Sequence, residues 1–164
     1  MTRDEQIIDQ AIRYTLNLPT SHQLTNEDRQ RVRVLSLDYN QITDVSPLAE
    51  LTQLERLFLA HNRIIDVTPL AELTQLGWLY LYDNKITDVS PLARLTQLRG
   101  LHLDNNKITD VTPLAELTQL EVLFLAHNRI IDVTPLAELA RLEGLDLDHN
   151  PVANRDALEI VRML

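Results

Sequence analysis

The chain contains no cysteine. That excludes a disulfide framework and thiolate metal sites, and it fits a reducing compartment. Glycine occurs only at Gly77, Gly100 and Gly144. No glycine-rich phosphate loop is therefore present, and neither G-x-S-x-G nor H-E-x-x-H occurs. The charged start Met1-Thr2-Arg3-Asp4-Glu5 is followed by no apolar run of signal-peptide or membrane-spanning length. A cytoplasmic location is expected, with no membrane partner. Positive charge is also short. Fifteen lysines and arginines stand against 24 aspartates and glutamates, a formal net charge of -9. Phosphate binding needs a basic face, so a nucleic-acid partner is disfavoured. Aromatics are few: one tryptophan, four tyrosines and two phenylalanines in 164 residues. Leucine, with 32 copies, must therefore fill the interior.

Those leucines recur with a period of 22 residues, starting at Val32, Leu54, Leu76, Leu98 and Leu120, with a partial copy from Leu142. Each copy reads, with small changes, L-x-x-L-x-L-x-x-N-x-I-x-D-V-[ST]-P-L-A-x-L-T-x. A fixed period of this length predicts a solenoid, in which each repeat touches only its neighbours. Within a repeat, Leu57 and Leu59 alternate with Phe58, which predicts a short strand with leucines on one face and Phe58 on the other. Strands stacked in parallel sit about 4.8 Å apart. Asn62 then turns the chain. Its amide can bond the turn's backbone, and Asn40, Asn84, Asn106, Asn128 and Asn150 would extend it into a ladder. Ile64 and Val67 return to the core. Thr68-Pro69 resembles an N-cap followed by proline at the first helical position, ahead of a short 3₁₀ or α turn on the convex side. The aspartate column Asp44, Asp66, Asp88, Asp110 and Asp132 is read as capping local backbone, since every repeat carries it.

Both ends of a stack need covers. Residues 4–16 place Ile7, Ile8, Ala11, Ile12 and Leu16 on one helical face, ended by Leu18-Pro19. The segment Leu24-Thr25-Asn26-Glu27-Asp28 leads to a first strand at Val32–Leu37. At the far end Asn154 is expected to cap a helix carrying Ala157, Leu158, Val161 and Leu164. The expected organisation is one domain over 1–164: a helical N-cap at 1–31, five repeats at 32–141, and a partial repeat with a helical C-cap at 142–164.

The repeat sentence resembles the 22-residue class of leucine-rich repeats shared by bacterial internalins, cyanobacterial repeat proteins and the leucine-rich regulatory subunit of protein phosphatase 1. The stretch Ala11–Pro19 with Leu24–Asp28 resembles the helical N-cap of bacterial members. The resemblance covers about residues 4–150. It implies a curved α/β solenoid of right-handed sense, with a parallel concave β-sheet, that binds partner proteins without catalysis. No signal peptide, immunoglobulin-like domain or wall anchor of secreted internalins is visible.

Function must lie where the repeats differ. Four columns vary along the sheet. They run Val34, Arg56, Trp78, Gly100, Val122, Gly144; then Ser36, Phe58, Tyr80, His102, Phe124, Asp146; then Asp38, Ala60, Tyr82, Asp104, Ala126, Asp148; then Tyr39, His61, Asp83, Asn105, His127, His149. The first three face solvent and the fourth sits at the sheet edge. Six of the seven aromatics fall here and none in the leucine ladder. Contiguous exposed apolar patches mark interaction sites, and aromatics with arginine dominate hot spots. Phe58, Trp78, Tyr80, Tyr82, Arg56, His102, Phe124 and Tyr39 are therefore the candidate partner-binding residues, edged by Arg33 and Arg99. The competing reading is that aromatics favour strands and pack on one another across the sheet.

No cofactor and no catalytic set are predicted, and the expected state is a monomer in which the patch is the place for any weak self-association. His127 and His149, with His102, Asp104, Asp146 and Asp148 nearby, carry imidazole and carboxylate donors but lack a fixed metal-ligand spacing. The acidic group Asp104, Asp146, Asp148 and Glu143 can instead attract a basic stretch on a partner. The row Arg63, Lys85, Lys107 and Arg129 reads as a solvated rim. A different origin is also open: residues 52–73 and 118–139 differ only at Arg56 against Val122. That points to recent duplication or to a scaffold built from a consensus, with no natural ligand.

Overall fold

Seven apolar side chains in each 22-residue unit turn toward one interior. In the second repeat Leu54, Leu57, Leu59, Ile64, Val67, Leu70 and Leu73 are all buried, none more than 1% exposed. Only a chain that closes each coil and stacks it on the next can bury them together. The computed structural model describes residues 1–154 and 156. Its strands are β1 (Val34–Ser36), β2 (Arg56–Phe58), β3 (Trp78–Tyr80), β4 (Gly100–His102), β5 (Val122–Phe124) and β6 (Gly144–Asp146). They form one sheet in sequence order, parallel throughout. The register is one repeat at every step, so Leu35, Leu57, Leu79, Leu101, Leu123 and Leu145 pair in line.

The first strand is shorter than the expected Val32–Leu37. The Val32 N–H is spent on Arg29 O, closing the preceding helix, and pairing starts only where Arg33 O accepts Glu55 and Arg56 N–H. The return side of each coil is a 3₁₀ helix, at Ser46–Glu50, Thr68–Glu72, Ser90–Arg94, Thr112–Glu116 and Thr134–Glu138. Thr68 is already its first residue and is not the cap. The Asp66 carboxylate accepts the Thr68 N–H at 2.8 Å instead, and Asp44, Asp88, Asp110 and Asp132 repeat that bond. Proline fits inside such a turn because its missing N–H has no partner to lose.

Helix α1 (Arg3–Thr15) and helix α2 (Asn26–Arg31) cover the first coil, each opened by a capping box, on Thr2 and Thr25. Ile8 and Ile12 are fully buried, while Ile7, Ala11 and Leu16 pack against the same core. The Asp4 carboxylate reaches across to accept the N–H groups of Thr43 and Asp44, both at 2.9 Å. At the other end Asn154 stands two residues before the helical Asp156. It accepts Val133 N–H and donates to Asp132 Oδ1 and Thr134 Oγ1. The expected C-cap helix residues Ala157, Leu158, Val161 and Leu164 lie outside the described residues. No helix among the described residues is long and apolar enough to cross a membrane.

These carboxylates make the stack acid-sensitive. Burial pulls Asp4 up, but donors from Asp44 and Thr43 outweigh it and hold it below its ordinary value. His22, then Thr25, hold Asp28 far below the usual range. The hydroxyl and N–H of the following Ser or Thr hold Asp66, Asp88, Asp110 and Asp132 below their ordinary value. A depressed folded-state value gives stabilisation that is complete above the unfolded aspartate value of about 3.9 and is lost as pH falls through the folded values. The melting temperature should change little between pH 7 and about pH 5 and drop steeply below about pH 4. Circular-dichroism melts across that range test this, and an equally stable fold at the acid end would contradict it.

Candidate interaction face

Each strand sends its central leucine inward and its two flanking side chains outward. The register then stacks the flanking residues of all repeats in straight rows. In one row Phe58 lies on Tyr80 with centroids 4.6 Å apart and planes 9° apart. Tyr80 meets His102 at 4.6 Å, and His102 meets the edge of Phe124 at 4.7 Å. Four predicted site residues thus form one continuous stack. Trp78 joins it beside Tyr80, at 6.5 Å.

Trp78 owes its position to Gly100. The two are paired in register, and a Cβ on Gly100 would lie 2.1 Å from Trp78 Cε3. The indole occupies the space that any other residue would fill, and Gly100 is buried beneath it.

A second row runs along the sheet edge. Tyr39 stacks on His61 at 4.1 Å, and His61 meets Tyr82 edge-on at 5.2 Å. The backbone arranges this row in a way sequence reasoning missed. Tyr39, His61, Asp83, Asn105, His127 and His149 all have φ between 53° and 60°. Left-handed backbone costs a non-glycine residue about 1–2 kcal/mol. Asn, Asp and His are enriched there, and their recurrence immediately before Asn62, Asn84, Asn106, Asn128 and Asn150 was the available signal. The strain is held by the ladder itself. Asn62 Nδ2 donates to Leu37 O and Leu59 O, and its Oδ1 accepts the Ile42 N–H, all at 2.9 Å.

The rings are neither core residues nor freely exposed. Phe58, Trp78, Tyr80, Tyr82, His102 and Phe124 are partly buried, since they cover one another, whereas Tyr39 is 71% exposed. Arg56 is exposed, between Val34 and Trp78 in register. The aromatics thus pack on each other, and as a group they form the solvent face of the sheet.

The face is acidic. Asp38 and Asp104 accept the N–H groups of Ala60 and Ala126, and Asp146 accepts that of Asp148. Burial pushes the Asp104 carboxyl above its ordinary value, with Asp146 adding to it. Burial pushes His102 down, against the pull of Asp104. Burial also raises the Tyr82 hydroxyl, helped by Asp38, Tyr39, Asp83 and Asp104.

His127 and His149 stack at 4.0 Å with planes 10° apart. Among the described residues no three of His, Asp and Glu gather into a possible metal site. At its N-terminal end the face runs into an apolar groove between α1 and β1, lined in part by Ile7, Ala11, Tyr14 and Val34.

Known proteins share this architecture. The family described as Leucine Rich repeats (2 copies) matches residues 30–72 and 74–116, and a second leucine-rich repeat family matches 96–152. Internalin C2 from Listeria monocytogenes is similar at 27% identity and a TM-score of 0.57, over 93% of this chain and 87% of its own. An internalin InlF from the same organism is similar at 29% identity and 0.65, over 98% of this chain and 62% of its own. A leucine-rich repeat protein of Leptospira interrogans follows at 25% identity and 0.66, over 86% of this chain and 50% of its own. The chain thus spans less than two thirds of the last two. No curated protein matches it significantly. With repeat families matched along most of its length, the chain belongs to the leucine-rich repeat family, in its internalin-like form.

Proposed function

We propose that the chain is a non-enzymatic protein-binding module that docks a partner on its sheet face. Leucine-rich repeat proteins generally mediate protein–protein interaction. One observation carries the reading to this surface: six of the seven aromatics gather there in two stacked rows, in a chain whose core takes none. Trp78, Tyr80 and Phe58 are the anchors, with Tyr82, Arg56, His102, Phe124 and Tyr39 around them. Rings already held by their neighbours lose little freedom on binding, which favours affinity. The variation of the face also speaks against a pure consensus scaffold. The single difference between residues 52–73 and 118–139 is Arg56 against Val122, and it lies on this face. Duplication of repeats with divergence of the face accounts for both facts.

The double variant Trp78→Ala/Tyr80→Ala is expected to lose partner capture from a native lysate. Its unfolding should shift less than that of a ladder-leucine variant, because both rings are only partly buried and their ring–ring contacts add about 0.5–1.5 kcal/mol each to the area lost. Capture by the variant at the wild-type level would refute the assignment.

A further inference from the structure

The charges around the aromatic rows are one-sided. Asp38, Asp83, Asp104, Asp146 and Asp148 lie in the four face columns, against Arg56 alone. Among the described residues none of these aspartates lies within 4.0 Å of a lysine or arginine; Asp83 has only His61, at 3.3 Å. The flanking residues behave differently. Arg33 pairs with Glu55 at 3.6 Å and Arg99 with Glu121 at 3.8 Å, so that rim is close to neutral. The exposed row Arg63, Lys85, Lys107 and Arg129 lies beyond the ladder asparagines and forms no ion pair with the face aspartates among the described residues. The aspartates also lie in columns beside the rings: Asp104 is one of the charges that raise the Tyr82 hydroxyl, and it acts on His102 as well.

We propose that the face takes an extended basic polypeptide segment in which arginine or lysine alternates with aliphatic residues. The proposal rests on the protein-binding reading above and names the chemistry of the partner. The aliphatic side chains lie on Phe58, Trp78, Tyr80 and Phe124. The cations run along the opposite side, over Tyr82 and toward Asp83, Asp104 and Asp148. A cation over a tyrosine face beside a carboxylate gains from both. The surface favours a chain over a small ligand because it is an open sheet and not an enclosed cavity. Six strands at about 4.8 Å spacing span about 24 Å, the length of about seven extended residues. Arg56, at the other edge, discriminates against cations placed out of register.

Trp78 is the only tryptophan, so its emission reports on this face alone. The probes are three capped eight-residue peptides, alternating Arg-Leu, Ser-Leu and Glu-Leu. The Arg-Leu peptide should change Trp78 emission saturably, and the other two should bind at least about tenfold more weakly. Affinity should fall between about 0.1 M and about 1 M salt, as the screening length drops from about 10 Å to about 3 Å. The variant Asp104→Asn/Asp146→Asn/Asp148→Asn keeps the side-chain acceptors for Ala126 and Asp148 N–H and should lose the preference. Equal response to the Ser-Leu or Glu-Leu peptide would overturn the charge selection while leaving the face as a binding surface. A silent Trp78 with all three would overturn the proposal. Failure of the underlying reading shows separately, as unaltered partner capture by Trp78→Ala/Tyr80→Ala.

Discussion

Replacing Asn84 by alanine should destabilise the stack by about 3–5 kcal/mol, a large part of the total stability of an ordinary domain. The size follows from the accounting of the ladder. Asn84 Oδ1 accepts the Ile64 N–H at 2.9 Å, and Nδ2 donates to Leu59 O at 2.9 Å and Leu81 O at 3.0 Å. Each carbonyl is shared: Leu59 O also accepts from Asn62, and Leu81 O from Asn106. Alanine therefore leaves the two carbonyls one donor each but orphans the Ile64 N–H inside the stack. A buried unpaired donor costs about 1–3 kcal/mol, and the lost bonds add to it. Asn84→Asp keeps the acceptor for Ile64 but turns a second oxygen toward the two carbonyls, so it should cost at least as much at neutral pH. Urea unfolding measures both. A midpoint unchanged in the alanine variant, at unchanged slope, would show that water or a shifted backbone fills the gap.

Leu81→Ala is the second large effect, expected at about 2–5 kcal/mol. Leu81 is fully buried between the equivalent leucines Leu59 and Leu103 of the adjacent coils. A central coil contributes two interfaces, and a cavity in it weakens both. Leu147 is the matching residue of the last coil and is only partly buried, so Leu147→Ala should cost less. Equal losses at the two positions would mean that stability is not passed between neighbouring coils.

The interior was legible from single residues. Leu57, Ile64, Val67 and Leu70 recur at fixed offsets, and fixed offsets in a repeat can only be satisfied by identical coils stacked in register. The asparagine ladder was legible for the same reason, because a polar residue at a constant position beside buried leucines must find backbone partners. The Asp66 column followed from its recurrence, although the neighbouring Thr68 was wrongly given the capping role. A hydroxyl two residues along has the same chemistry, and only the chain path selects the carboxylate.

Along the face, sequence placed Phe58, Trp78, Tyr80 and Phe124 outside the core by alternation alone. It did not show that the Trp78 indole occupies the space over Gly100, since that contact joins residues 22 positions apart. Nor did it show the left-handed backbone at Tyr39 and His61, which local preference alone would not impose on a tyrosine. The bonds from Asp4 to Thr43 and Asp44, and the turning of Asn154 back onto Asp132 and Thr134, belong to the same class. Periodicity by itself determined which side of each coil every residue takes, because burial of leucine at constant spacing admits one stacking. How deep the rings sit, which aspartates lack a cation among the described residues and how the N-terminal helices meet the first coil were decided by the assembled coils. Those are contacts between side chains brought together from adjacent repeats, where steric fit and shared hydrogen bonds outweigh any local preference.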